Sequence, residues 1–166
     1  MIKKIILVLA VAIALPIVMK AQKFGIVDAD QVLQTLPEMT AVQEQLTEAS
    51  KRYEEEFKKL QDEMDKKFTE FQALGQDTPD SIKERRMAEL QELDAKMTQF
   101  RNTAQQDLQR QQQNLMAPIE QKFMDAVKAV GQEGGYTFIF QEGISLFTGA
   151  DVINVTADVK AKLGIN

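Results

Sequence analysis

Apolar positions along the middle of the chain keep a regular spacing. From Val42 they run Val42, Leu46, Ala49, Tyr53, Phe57, Leu60, Met64, Phe68 and Phe71, in steps of 4, 3, 4, 4, 3, 4, 4 and 3. Val42, Tyr53 and Met64 recur every eleven residues, and eleven residues in three turns is about 3.67 per turn, close to a free α-helix. The seam therefore stays nearly straight, whereas a heptad reading fails after two repeats. The stripe reappears at Leu93, Met97, Phe100, Ala104 and Leu108, passes through polar Gln111 and reaches Leu115. Two helices with matching stripes predict an antiparallel pair. Their other faces are Glu, Lys, Gln and Asp, and the Gln-rich stretch "QFRNTAQQDLQRQQQ" reads as a solvated helix face.

Between the stripes lies "LGQDTPDSIKE". Gly75 suits a helix C-cap that needs a positive φ. Thr78-Pro79 suits an N-cap followed by a first helical residue, and Ser81-x-x-Glu84 offers a competing capping box one turn later. The first helix, about 37 residues, would span roughly 55 Å. The returning helix crosses Pro118, which removes one helical hydrogen bond and should kink or restart it.

The chain ends switch to a different pattern. "FGIV" reads as a strand with Phe24 and Ile26 on one face and Val27 on the other, and "ADQVLQTL" as a short helix. Downstream, "YTFIFQ", a turn at "EG" and "ISLF" read as two further strands, with Tyr136, Phe138 and Phe140 sharing a face and Ile139 opposite. Thr156 then looks like the N-cap of a short terminal helix, with Asp158 in its first turn and Lys160 and Lys162 near its end. The hairpin returns the chain to its starting end, so the strands can meet in one small sheet. Three short strands leave exposed edges and too little burial to stand alone. The predicted fold is therefore α+β: a small sheet body completed by association of several copies, each projecting a long helical hairpin. Phe24, Ile26, Tyr136, Phe138 and Phe140 are the expected contacts between copies.

The first residues read as a cleavable leader. A basic "MIKK", an apolar run from Ile5 to Met19 broken at Pro16, and a small residue at Ala21 give the layout of a secretory signal peptide. A retained anchor needs roughly 20 apolar residues without a Pro. The expected organisation is 1–21 signal peptide, 22–36 first part of the body, 37–117 hairpin arm with its tip at about 75–82, and 118–166 second part of the body. Cleavage removes Lys3, Lys4 and Lys20 and moves the net charge from −5 to −8. That balance argues against nucleic acid as a partner, since backbone binding needs clustered Lys and Arg.

The chain has no Cys and no His. Thiol catalysis, disulfides, Cys/His zinc sites and His-dependent triads are thereby excluded. One enzymatic pattern is left, Asp28-Ala-Asp30 at the end of a strand, which is how some Mg²⁺-dependent phosphotransfer sites begin. Such a site needs a parallel sheet with further carboxylates and a Lys from later strands, whereas a long helical stretch follows here. Asp30, with Asp28 as a second candidate, is better read as capping the helix that follows, and Asp30→Ala would then cost about 1 kcal/mol. No enzyme activity, cofactor or metal is expected.

In their order around a helical hairpin, "KFGIVDADQVLQTLPEMTAVQEQL", "APIEQKFMDAVKAVGQEGGYTFIF" and "DVINVTADVKAKL" resemble the Skp/OmpH family of periplasmic chaperones, over the whole mature chain. The resemblance implies a homotrimer with a β-barrel-like body and three arms enclosing a cavity. Unfolded outer-membrane β-barrel proteins would be held there without ATP, and the chain carries no Gly-rich phosphate loop. Phe68, Phe71, Leu74, Ile82 and Met87 are the candidate client contacts, although Phe68 and Phe71 also fit as packing between the helices. Better-known members are basic. Here the tip balances Asp77, Asp80 and Glu84 against Lys83, Arg85 and Arg86, which argues against direct membrane or lipopolysaccharide binding. A secreted coiled-coil adaptor with one fixed partner is the alternative that periodicity alone leaves open.

Overall fold

The first strand of the described residues is the centre of its sheet. The computed structural model describes residues 22–165, so the expected leader lies outside the described residues. The order of elements is β1 (Phe24–Val27), α1 (Ala29–Gln34), α2 (Pro37–Gln72), α3 (Asp80–Gly134), β2 (Phe138–Gln141), β3 (Ile153–Asn154) and α4 (Thr156–Leu163). The strands are ordered β2-β1-β3 and both pairings are parallel, with Phe24 opposite Phe138, Ile26 opposite Phe140 and Gly25 opposite Ile153.

Parallel pairing follows from where the hairpin returns. Helix α3 ends beside the start of β1, where Lys23 Nζ donates to the Gly134 carbonyl at 3.0 Å. The chain then sets out again in the direction of β1, and Thr137 N–H donates to Lys23 O at 2.7 Å and Glu142 N–H to Val27 O at 2.8 Å. The 142–152 loop brings it back to the other edge of β1. This differs from the hairpin that "YTFIFQ-EG-ISLF" predicts. Glu142 and Gly143 do turn, with Gly143 at φ 86°, but residues 144–147 form no strand. Both edges of β1 are already occupied, and within one chain nothing is left for these residues to pair with except the outer edges of β2 and β3.

The hairpin is the predicted one. Val42 and Ala49 of α2 and Leu90, Leu93 and Ala104 of α3 are buried, and Leu46, Tyr53, Phe57, Leu60, Met64, Met97, Phe100 and Leu108 are half-buried along the seam. Below Val42 the seam merges into the body through Leu36 and Ile119. The body core is Val27, Val32, Val155 and Val159 against Phe123, Ala126 and Val130 of α3. Those α3 residues explain why the helix does not restart at Pro118: it runs unbroken from Asp80 to Gly134. Proline removes one hydrogen bond, but Ile119, Phe123, Ala126 and Val130 beyond it are all fixed in the core on a helical spacing.

Helix ends differ from those expected both at the tip and, at Thr156, near the body. Gly75 does not adopt a positive φ; α2 closes on Ala73 at φ −77° with Ala73 N–H donating to Thr69 O. Neither the Thr78 cap nor the Ser81–Glu84 box forms. Asp80 follows Pro79 directly, and the Pro79 carbonyl takes the N–H groups of Ile82 and Lys83. At the other end of α3, Gly135 (φ 65°) lets Tyr136 N–H reach Gly131 O while its own N–H reaches Gln132 O, the two bonds of a Schellman motif. Thr156 is the first residue of α4 and not its cap. Its N–H is taken instead by Asn154 Oδ1 at 2.9 Å.

Candidate functional site

Strand alternation sorts the body into two faces. On β1, Gly25 and Val27 are buried on the core side, Gly25 beneath Tyr136 and Ile139, while Phe24 and Ile26 point away and are half-buried. On β2, Ile139 packs on the core, and Phe138 and Phe140 are 55% and 46% exposed. Phe24 stacks on Phe138 with ring centroids 6.2 Å apart, and Phe138 on Phe140 at 5.8 Å. Four of the five expected contact residues thus form one exposed apolar face. The loop after β2 adds Ile144, Leu146 and Phe147, all largely exposed, which strand patterning assigns to a third strand. Burying a Phe fully is worth roughly 1.5–3 kcal/mol, so a large share of that gain is unrealised in a single chain.

Tyr136 does not share this face. The chain bends at Thr137, and the Tyr136 ring turns to the core side. Two glycines seat it: a Cβ on Gly25 would come within 3.2 Å of the ring, and one on Gly134 within 2.4 Å. Lys23 Nζ lies 4.0 Å from the ring centroid. Aromatic–aromatic spacing in the sequence carries no sign of this, because the bend depends on the glycine-terminated helix immediately before it.

On the arm, the candidate residues divide. Phe71, Leu74 and Ile82 are half-buried at the tip, while Phe68 and Met87 are 49% and 42% exposed. Phe68 therefore leaves the seam to which the eleven-residue repeat assigns it, and Lys67 takes its place. Glu89 accepts from Lys67 at 3.3 Å and from Arg86 at 2.9 Å, with Arg85 at 3.6 Å. The Arg86 and Lys67 hydrogen bonds hold the Glu89 carboxyl below its ordinary range. Hydropathy counting misses this node because it scores every charge as solvent-facing.

Nearer the body the seam has one closed side and one open side. Tyr53 Oη donates to Asp107 Oδ2 at 3.1 Å, and Asp107 also pairs with Arg110. Burial, and then the Asp107 carboxylate, raise the Tyr53 phenol above its ordinary value. On the other side Phe57 stacks on Phe100 at 6.3 Å, with the Arg101 guanidinium 5.7 Å from the Phe57 ring.

The Asp28–Asp30 pair does not converge. Asp28 Oδ1 accepts the Gln31 N–H at 2.8 Å and is the N-cap of α1, whereas Asp30 is an exposed residue of the first turn. The cap is thus Asp28, one pleat earlier than the first choice from sequence. Among the described residues no helix is long and apolar enough to cross a membrane.

A parallel three-stranded sheet carrying a helical hairpin, with an uncovered aromatic face, defines a class of arm-bearing α+β proteins. The chain matches the family described as outer membrane protein (OmpH-like) over residues 23–163, and it belongs to that family. Among solved structures it is similar to an OmpH-like protein of Caulobacter crescentus CB15, described as a candidate outer membrane chaperone. The TM-score is 0.72 at 14% identity, covering 86% of this chain and 84% of that one. At that identity the likeness is one of fold. No curated protein matches.

Proposed function

We propose that this protein is a periplasmic holdase, a chaperone that binds unfolded outer-membrane proteins without ATP and keeps them from aggregating. The observation that carries this reading is the combination of OmpH family membership with an arm that is built for contact and not for chemistry. The hairpin presents Phe68 and Met87 to solvent near its tip, beside the Lys67–Glu89–Arg86 ion pairs that tie the two helices together. Unfolded clients differ in sequence, so a holdase binds them through many weak apolar contacts, for which Met and Phe are suited. The protein would have no enzymatic activity.

Copies of the chain would associate, three in number by family resemblance, through Phe24, Ile26, Phe138 and Phe140 and the Ile144–Phe147 loop. This supplies the cover that the outer sheet face lacks in one chain, and it sets several arms around a common space. Phe71, Leu74 and Ile82 would join Phe68 and Met87 in lining that space near the tips.

The test mixes purified protein with several unrelated urea-unfolded β-barrel proteins and follows light scattering without nucleotide. Suppressed aggregation of all of them is the expected result. Protection of a single partner would favour an adaptor, and protection of none would overturn the reading.

A further inference from the structure

The Gln-rich stretch of α3 occupies residues 99–113. Its side chains are distributed unevenly about the hairpin. Gln105, Gln109 and Gln112 rim the open side of the seam, where with Ser50 they border a shallow groove of about 510 Å³ floored by Leu46 and Leu108. Toward the tip this groove continues into a second of about 320 Å³, which shares Ser50, Gln105 and Leu108 and is floored by Tyr53, Phe57, Phe100 and Ala104. Gln106 and Gln113, one residue further on, are exposed but lie outside it.

We infer that this groove is the place on the arm where an extended segment of the unfolded client is held, with its main chain against the glutamine rim and alternate apolar side chains on the floor. The inference rests on the proposed holdase function. From Gln112 to Phe100 the groove spans twelve helical residues, about 18 Å, which accommodates roughly five residues of extended chain. Transmembrane β-strands alternate apolar and polar residues, so one apolar edge over the floor leaves the polar edge in water.

The charge of the rim selects this occupant over others. Glu54 and Arg101 are its charged members and cancel; the rest are amides and a hydroxyl. An amide side chain both donates and accepts, which matches the unpaired N–H and C=O groups of an unfolded main chain. A neutral rim gives no purchase to an anionic lipid headgroup. The opposite side of the seam is unsuited, because the Tyr53–Asp107 hydrogen bond lies across it and the charged Asp107–Arg110 pair flanks it.

Photo-cross-linking on the full-length oligomer tests this. A photoreactive residue is placed at Gln105, Gln109, Gln106 or Gln113 in turn, and each protein is loaded with a urea-unfolded β-barrel protein whose aggregation wild type suppresses. Stronger client adducts at 105 and 109 than at 106 and 113 are expected. In parallel, Gln105→Glu/Gln109→Glu/Gln112→Glu should weaken client binding by about tenfold, the size of one or two lost hydrogen bonds, while Gln106→Glu/Gln113→Glu should not. Suppressed aggregation with equal adducts at all four positions would overturn the groove and leave the holdase function standing. Adducts at 105 and 109 to a second copy of the chain, or to lipid in place of client, would also overturn it. Wild type that suppresses no aggregation would overturn both.

Discussion

Thr156 Oγ1 accepts the backbone N–H of Asp28 at 2.9 Å, joining residues 128 apart in sequence. The threonine is 6% exposed and is the first residue of α4, so one hydroxyl ties the end of β1 to the C-terminal helix. Thr156→Val keeps the shape and removes the acceptor. Removing the acceptor of this half-buried N–H should cost about 1 kcal/mol, read as a lower urea midpoint at unchanged slope; Thr156→Ser should retain most of the stability.

The other half of that junction separates two neighbouring carboxylates. Asp28→Ala removes the N-cap of α1 and should cost about 1 kcal/mol. Asp30→Ala removes only a first-turn charge, about 0.3–1 kcal/mol at most. Equal losses in chemical denaturation would contradict the observed cap.

Substituting the outer sheet face should change assembly and leave the fold of each chain intact. Phe138→Ser/Phe140→Ser removes side chains that point away from the core, so far-UV circular dichroism should be unchanged. Light scattering should show a smaller species than wild type. An unaltered mass would move the interface elsewhere.

Seating of Tyr136 gives a steric prediction with an unusual sign. Gly→Ala inside a helix ordinarily stabilises by about 1 kcal/mol, yet at Gly134 the new Cβ would meet the Tyr136 ring at 2.4 Å. Gly134→Ala should therefore destabilise, by about 1–3 kcal/mol, whereas on a Tyr136→Ala background the same substitution should stabilise relative to Tyr136→Ala alone. Thermal melts of these variants distinguish the outcomes.

Acid should loosen the distal arm through Glu89. Its folded pKa lies below the ordinary 4.5 because Arg86 and Lys67 bond the ionised form. The contribution is thus fully present above that value and is lost as pH falls through the folded pKa. Glu89→Gln should flatten this part of the stability profile below pH 4.5, measured as hydrogen exchange of α2 and α3 near the tip. An unchanged acid profile would remove the node from consideration.

What the sequence made legible tracks how local the cause is. The seam from Val42 to Met64 depends only on helical period, and the observed burial follows it. The pattern broke at Phe68, where Lys67 takes the seam position and pairs with Glu89, 22 residues away on the facing helix. Phe24, Ile26, Phe138 and Phe140 were placed by strand alternation, and Tyr136 was misplaced because a left-handed Gly135 and a bend at Thr137 come between it and the strand. Parallel pairing was not readable from "YTFIFQEGISLF", since it is set by where a 55-residue helix delivers the chain. The groove was hidden for a related reason: which glutamines rim it depends on the facing helix.

The central position of β1 also orders events during synthesis. β1 is made well before both of its neighbours; Lys23 and Gly134, which meet at the sheet's end, are 111 residues apart. The hairpin needs only antiparallel contacts that zip outward from its own turn, so it can close before the sheet does. A closed hairpin shortens the effective loop between β1 and β2 severalfold and lowers the closure penalty by roughly 1 kcal/mol. The closed arm is thus a folding tether, and β1 stays unpaired until Phe138–Gln141 and then Ile153–Asn154 have been made.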